Sequence, residues 1–140
     1  MEAWENKFTV GEQSSITRKI LKEDILTFAK LTGDYNPIHV NEEYAKKSLF
    51  KENIAHGLLI GGLISAVLGM KLPGPGAIYL SQTFNFKIPV KIGDEITATA
   101  QILEILKREN RSTRMRLSTI CQNQNNQIVL DGEAVLQQLL

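Results

Sequence analysis

The sequence has few of the features that point to membranes, to secretion or to large polyanions. It has one cysteine, Cys121, which excludes an internal disulfide and favours a reducing compartment, the cytoplasm, with a buried thiol. Its 16 basic and 15 acidic side chains give a formal net charge of +1, which suggests neither a nucleic-acid partner nor an anionic membrane surface. Its longest apolar run, residues 57–70, is shorter than the roughly 18 residues that a membrane-spanning helix needs.

The length favours one domain, and no linker, internal repeat or low-complexity segment divides the chain. We therefore expect a single domain over residues 1–140, which buries roughly 70% of the surface that the unfolded chain exposes. The first seven residues, MEAWENK, lack the basic start and apolar core of a secretory signal. We accordingly expect the whole chain to be the mature protein.

Histidine is also scarce, and one of the two histidines ends the stretch that organises the sequence, residues 31–39 (LTGDYNPIH). Gly33 can end a helix in the left-handed conformation, and Pro37 fixes its own φ and drives the preceding residue to be extended. A turn with so little freedom can aim two side chains at one point. Asp34 and His39 are therefore a candidate acid/base pair for one water molecule, because imidazole titrates near neutrality and a carboxylate can be tuned toward it.

The rest of the pattern predicts two short helices near this stretch and a series of strands. Residues 22–32 carry apolar side chains at helical spacing, and Asn41 suits the N-cap of a short helix that ends near residue 48. Alternation of apolar and polar side chains, with a bulge at 103–105 and a hairpin turn at 123–126, predicts strands over residues 15–20, 78–88, 96–105, 115–121 and 128–136.

The apolar run at residues 57–70 is the second organising element. Because it is apolar on every side, we expect this helix to be surrounded by other elements. Glycine within a helix costs about 1 kcal/mol relative to alanine, so Gly61 and Gly62 require a compensating close contact. Together these elements predict an α+β domain in which a curved antiparallel sheet wraps around one long apolar helix, the hotdog fold.

Residues 28–39 (FAKLTGDYNPIH) resemble the hydratase 2 signature of the MaoC-like family. His56 and Gly57, which open the apolar helix, and residues 79–94 resemble further segments of that family. The similarity covers about residues 10–138, and it is closest to the single-hotdog (R)-specific enoyl-CoA hydratases. It implies reversible (R)-specific hydration of trans-2-enoyl-CoA to (R)-3-hydroxyacyl-CoA, with short to medium acyl chains.

The resemblance also implies roles for single residues. Asp34 and His39 would activate one water molecule for syn addition, and we assign water activation to Asp34 and water holding with proton shuttling to His39. The backbone N–H of Gly57 would donate to the thioester oxygen, which suits the unpaired amides at a helix start. Asn36 and Ser65 are expected behind this pair or against the substrate. The resemblance implies no metal and no organic cofactor.

An oligomer is expected on two grounds. An isolated hotdog domain leaves a sheet edge unpaired and its acyl pocket half open, so pairing of two copies into a continuous sheet would complete it. Members of the family are homodimers or larger homo-oligomers. We therefore expect at least a homodimer, with the acyl-CoA pocket near the subunit interface.

Simpler roles exist for most of these residues. Asp34 suits a turn former and His39 a core histidine, although the complete signature favours catalysis. For His56 we favour a structural role beside the start of the apolar helix. Asn36 suits bracing the turn through hydrogen bonds to the backbone, and a serine such as Ser65 often bonds to its own helix.

Three other functions share parts of this pattern. Dehydration of a 3-hydroxyacyl-[acyl carrier protein] uses the same chemistry on another carrier, and the sequence leaves this alternative open. A non-catalytic hotdog that only binds acyl-CoA needs no acid or base, so the acid/base pair argues against it. Thioester hydrolysis is a further hotdog activity, but the signature around Asp34 is that of hydratases.

Overall fold

The computed structural model of the protein describes residues 8–109 and 112–139, so the expectation about residues 1–7 lies outside the described part. In chain order the elements are β1 (Gln13–Lys19), α1 (Lys22–Thr32), α2 (Pro37–Val40), α3 (Glu42–Lys46), α4 (Gly57–Met70), β2 (Ala77–Gln82), β3 (Asn85–Phe86), β4 (Glu95–Glu109), β5 (Ser112–Gln122) and β6 (Ile128–Leu139). The strands form one antiparallel sheet in the order β1-β4-β5-β6-β2, and β3 also pairs with β6.

The sheet wraps around α4, which contacts β1, β2, β4 and β5. Along β5 and along residues 95–102 of β4 every second side chain is buried, because successive residues of a strand point to opposite faces and one face is turned to the core. The core is built from one face of β4 (Ile96, Ala98, Ala100, Ile102), one face of β5 (Met115, Leu117, Cys121) and one side of α4 (Ile60, Ile64, Val67, Leu68). The predicted α+β hotdog fold is confirmed. No helix among the described residues combines the length and apolarity needed to cross a bilayer.

The single cysteine is part of this core. Cys121 is fully buried on β5, and its Sγ lies 3.9 Å from the carbonyl oxygen of Ile60 on α4. Burial raises the pKa of the Cys121 thiol to about 12, because a thiolate is poorly solvated among apolar neighbours. The thiol is therefore protonated at neutral pH, which confirms the predicted structural role and gives no nucleophile.

The two predicted irregularities of the strands are confirmed. The pairing of β4 with β5 shifts between Ile102 and Glu104, where the alternation of apolar residues changes phase. The hairpin turn between β5 and β6 places Asn126 at a φ of 59°, a left-handed conformation that asparagine tolerates better than most residues. The Asn126 N–H donates to the Asn123 carbonyl oxygen at 3.0 Å and closes the turn.

The predicted continuous strand over residues 78–88 is wrong, because the structure divides it into β2 and β3. Between them the chain passes very close to Gly132 of β6, where an added Cβ would lie 1.8 Å from the carbonyl oxygen of Thr83. Thr83 Oγ1 also accepts a hydrogen bond from the Glu133 N–H at 3.0 Å. This close crossing interrupts the ladder and lets the following ring, Phe84, pack toward α4.

The expectation that α4 is surrounded on every side is also wrong for a single protomer. Its sheet-facing side is buried, but Leu58 is 61% exposed and Met70 is 73% exposed. Gly62 and Ser65 are exposed as well. Because residues 58, 62 and 65 follow one another at helical spacing, they form a continuous uncovered stripe along the helix.

One of the two helix glycines has the close contact that the sequence predicts. An added Cβ at Gly61 would lie 2.7 Å from Cζ of Phe84, so the ring packs directly on the helix backbone. Gly62 has open space where its Cβ would be. The propensity cost of Gly61 is therefore offset by packing of the Phe84 ring, whereas contacts within the protomer give no such reason for Gly62.

We predict that Gly61→Ala lowers the free energy of unfolding by about 1–3 kcal/mol, because the methyl group displaces the Phe84 ring from a well-packed position. Combining Gly61→Ala with Phe84→Leu should cost less than the sum of the two single changes, because the shorter side chain removes the clash. Denaturant unfolding of the three variants measures this. Strict additivity, or a Gly61→Ala protein that is more stable than the wild type, would contradict the packing argument.

Candidate active site

The segment that carries the predicted acid/base pair begins where α1 ends. Gly33 has a φ of 84°, the left-handed conformation that glycine adopts at little cost. Its N–H donates to the Ala29 carbonyl oxygen at 2.8 Å, and the Asp34 N–H donates to Thr32 Oγ1 at 3.2 Å. Asp34 therefore follows the helix end directly, as the sequence predicts.

Beyond Asp34 the chain forms a one-turn helix where the sequence predicts only a turn. Pro37 stands at the first position of α2, where its fixed φ suits a helix and its missing N–H costs nothing. Asn36 Oδ1 accepts a hydrogen bond from the Ile38 N–H at 3.3 Å, and the Asn36 N–H donates to Asp34 Oδ1 at 3.1 Å. Asn36 thus braces the segment, as expected, and joins the Asp34 carboxylate to the helix that carries His39.

His39 is held by a hydrogen bond to the chain just before α4. Its Nδ1 lies 2.7 Å from the carbonyl oxygen of Ile54. A carbonyl oxygen only accepts, so Nδ1 carries the hydrogen and Nε2 is the nitrogen that remains for proton transfer. The Asn53 side chain reinforces this junction by donating to the Ile38 carbonyl oxygen at 2.9 Å and to that of Asn41 at 3.2 Å.

Gly57 begins α4, and its amide has no acceptor within the helix. The first amides of a helix are unpaired and carry the positive end of the helix dipole, so they suit a developing negative charge. An added Cβ at Gly57 would lie 2.6 Å from the ring of Phe86. A side chain at this position would therefore displace Phe86, which packs against the helix start.

Asp34, His39 and Gly57 line one cavity of about 590 Å³. The structure therefore brings together the three residues that the sequence predicts for water activation and oxyanion binding. The walls of the cavity are mainly apolar and come from distant parts of the chain: Phe28, Phe50, Phe86, Ile88, Val129 and Leu130. An extended apolar group with one polar end fits such a lining.

The other two predicted residues lie outside the cavity lining. Asn36 acts through the backbone hydrogen bonds described above. Ser65 is exposed on the uncovered stripe of α4, eight residues beyond Gly57, and at a rise of 1.5 Å per residue the two are about 12 Å apart along the helix. The structure does not bring Ser65 to the cavity of its own protomer.

His56 is the cavity residue whose contacts the sequence did not reveal. It is 2% exposed, and it hydrogen bonds to the backbone of Asp34 and stacks on His39. One indication of a role for His56 is present in the sequence, because it stands next to Gly57 and is one of only two histidines. No sequence pattern identified the apolar wall residues, because residues of β3 and β6 reach the cavity only through the arrangement of the strands in the sheet.

A metal ion is not needed to explain this cluster. Asp34, His39 and His56 offer ligand atoms within 4.8 Å of one another. The two imidazole rings, however, are stacked with centroids 3.9 Å apart, and each ring already has one nitrogen bonded to a backbone carbonyl oxygen, so hydrogen bonds and stacking account for their arrangement. That the reaction uses neither metal nor organic cofactor stays a prediction.

Comparison with known proteins identifies the family. Residues 6–124 match the family described as the MaoC like domain. The chain is 45% identical over 127 residues to a 3-hydroxybutyryl-CoA dehydratase of Methylorubrum extorquens, covering 91% of this chain and 78% of the relative. It is 44% identical over 126 residues to an (R)-specific enoyl-CoA hydratase of Rhodospirillum rubrum, covering 90% of this chain and 85% of the relative.

A solved structure agrees with these sequence relatives. The unliganded R-hydratase PhaJ1 of Pseudomonas aeruginosa superposes with a TM-score of 0.88 at 42% sequence identity, covering 94% of this chain and 83% of that one. The fold, the signature around Asp34 and these relatives all lead to one assignment. The chain belongs to the MaoC-like hydratase family.

Proposed function

We propose that this protein catalyses the reversible (R)-specific hydration of trans-2-enoyl-CoA thioesters with short to medium acyl chains. The observation that carries the proposal is the convergence of Asp34, His39 and the Gly57 amide in one apolar cavity. Binding alone would need neither an acid nor a base there. The relatives named above act in the same reaction class, a hydro-lyase reaction.

Water activation falls to the two titratable side chains. Hydration needs a base that takes a proton from the water attacking C3 and an acid that delivers a proton to C2. In our assignment Asp34 accepts a proton from the water whose oxygen bonds to C3. His39, which works through Nε2 because Nδ1 is bonded to Ile54, holds that water and transfers the proton from Asp34 to C2. The electron pair of the double bond moves to the thioester oxygen and returns when C2 is protonated, so one water is added in total.

The first amide of α4 stabilises the negative charge that develops on the thioester oxygen. The Gly57 N–H is fixed before the reaction begins, so little reorganisation is required when negative charge develops. Removing one preorganised donor of this kind costs about 3–4 kcal/mol of transition-state stabilisation in other enzymes.

The acyl chain of the substrate occupies the apolar part of the cavity. Carbon chains gain roughly 0.8 kcal/mol per buried methylene, so a cavity of about 590 Å³ lined by aromatic and aliphatic side chains favours an acyl group over a polar substrate. The acid/base chemistry is the same for coenzyme A and for an acyl carrier protein. The choice of carrier is therefore decided by the assay below.

We also propose that the protein is a homodimer joined through β2. The outer edge of β2 ends the sheet, and it exposes three consecutive apolar side chains, Ile78 at 45%, Tyr79 at 40% and Leu80 at 47%. An unpaired apolar edge is a template for pairing with a second chain. The opposite edge, β1, carries the polar and basic sequence QSSITRK, which opposes such pairing.

The uncovered stripe of α4 supports the same dimer. Leu58, Gly62 and Ser65 leave an apolar helix partly exposed in one protomer, and a second copy that extends the sheet at β2 would also cover this side. Gly62 lacks a close neighbour within the protomer, and a small residue permits close approach by a partner. The cytoplasmic location that the lone cysteine favours stays a prediction.

The central test of the reaction is hydration of crotonyl-CoA, followed by the loss of enoyl absorbance. Asp34→Asn and His39→Gln should each lower kcat/KM by roughly 10²- to 10⁴-fold, because each removes a proton-transfer group. The exposed Glu23→Gln on α1 is the matched control and should keep wild-type activity. Wild-type rates in both Asp34→Asn and His39→Gln would contradict the proposal.

The same assay separates the alternative functions. Presenting the acyl group on coenzyme A and on an acyl carrier protein shows which carrier is used, and we expect higher kcat/KM with coenzyme A. Release of free thiol without hydration would instead identify thioester hydrolysis. Chiral analysis of the product should give the (R)-3-hydroxyacyl thioester.

The brace formed by Asn36 gives a second prediction. Asn36 caps α2 and Asn41 caps α3, so replacing either by alanine removes one N-cap and should cost about 1 kcal/mol of stability. Only Asn36→Ala should also lower kcat, by about tenfold, because it loosens the segment between Asp34 and His39. Equal kcat values for the two variants would show that the brace does not matter for catalysis.

Sedimentation tests the dimer. The wild type should sediment as a dimer at micromolar concentration, and Leu80→Glu should sediment as a monomer because it places a charge on the β2 edge. Leu26→Glu is the control, since Leu26 on α1 is 43% exposed, close to the 47% of Leu80. A monomeric wild type, or a Leu80→Glu protein that stays dimeric, would overturn this interface.

A further inference from the structure

His56 is a buried titratable group of the cavity that the proposed reaction does not use. It is 2% exposed and lies at the junction between the segment carrying Asp34 and His39 and the start of α4. Its own backbone precedes Gly57, the proposed oxyanion donor. One residue therefore touches both halves of the site.

The His56 ring makes two directed contacts with the acid/base pair. Its Nε2 lies 2.9 Å from the backbone carbonyl oxygen of Asp34, and since a carbonyl only accepts, this nitrogen donates. Its ring stacks on that of His39 with centroids 3.9 Å apart. Phe28 packs against the ring at 4.6 Å between centroids and helps to fix its orientation.

These contacts come at a local cost. His56 is the N-cap residue of α4, yet its side chain makes no capping hydrogen bond, whereas serine, threonine, aspartate or asparagine would cap the helix and stabilise it there. Its buried Nδ1 also has no hydrogen-bond partner among the described residues. Departures from local preference of this kind are expected where a residue serves function.

We propose that His56 is a positioning residue for the hydration reaction. Its hydrogen bond sets the place of the Asp34 main chain relative to the Gly57 amide, and its stack holds the His39 ring with Nε2 available. His56 acts through Asp34 and His39 and needs no contact with the reacting atoms. This inference rests on the proposed hydratase function, because it concerns the spacing of water activation and oxyanion binding.

Three variants separate the two contacts. His56→Gln keeps a side-chain donor but removes the ring, His56→Phe keeps the ring but removes the donor, and His56→Ala removes both. A misplacement of about 1 Å can cost roughly 100-fold in rate, so we expect His56→Ala to lower kcat for crotonyl-CoA about 100-fold with KM changed less than about threefold. The Gln and Phe variants should each recover part of the loss.

Met115→Ala controls for lost stability. Met115 is fully buried on β5 and does not line the cavity, so its truncation should lower the denaturant midpoint of unfolding and leave kcat within about threefold of the wild type. His56→Ala with kcat near the wild-type value, or an equal fall in Met115→Ala, would overturn the proposal. If His56→Ala does not fold, wild-type kcat in both His56→Gln and His56→Phe overturns it.

Amide hydrogen exchange tests the positioning without any activity. The Asn36 N–H donates to Asp34 Oδ1, so its exchange reports the order of this segment. We expect exchange at Asn36 to be about tenfold faster in His56→Ala than in Met115→Ala. If the wild type does not hydrate crotonyl-CoA, the proposed function fails on its own, and equal Asn36 exchange in the two variants would show separately that His56 does not position the segment.

Discussion

The site depends on two hydrogen bonds between the segment that carries Asp34 and His39 and the chain at the start of α4. Each of the two parts donates one of these bonds and accepts the other. His39 Nδ1 donates to the carbonyl oxygen of Ile54, which lies just before α4, and His56 Nε2 donates to the carbonyl oxygen of Asp34. Each bond joins an imidazole ring of one part to a backbone carbonyl oxygen of the other, so two histidine rings set the distance between the acid/base pair and the helix start. Because a carbonyl oxygen only accepts, these bonds also fix one nitrogen of each ring as a donor, so the same interactions set the position of each ring and its neutral tautomer.

The fold makes this junction possible. The sheet buries one side of α4 and so fixes where its first amides lie, and the rings of Phe86 and Phe84 pack closely on the helix backbone at Gly57 and Gly61. The same wrapping leaves one stripe of α4 and one apolar sheet edge uncovered. In our account a second copy of the chain covers both the stripe of α4 and the apolar sheet edge. The helix that carries the oxyanion donor would then also form part of the dimer interface.

The sequence predicted the parts of the structure that local chemistry decides. Gly33, Asn36 and Pro37 specify the segment around Asp34, and alternation revealed the buried faces of β4 and β5, including the bulge after Ile102. It did not reveal the crossing of Thr83 over Gly132 or the stack of His56 on His39, because both are contacts between residues far apart in the chain. The family resemblance placed Ser65 beside the acid/base pair, but Ser65 lies on the exposed stripe of α4, outside the cavity of its own protomer.

The central claim is that one cavity holds the acid/base pair and the oxyanion donor around the same thioester. A crystal structure with bound 3-hydroxybutyryl-CoA measures this directly. We predict the thioester oxygen at about 2.7–3.1 Å from the Gly57 nitrogen, with the 3-hydroxyl group between the Asp34 carboxylate and His39 Nε2. An acyl group bound elsewhere, or with its 3-hydroxyl group out of reach of both side chains, would contradict the account.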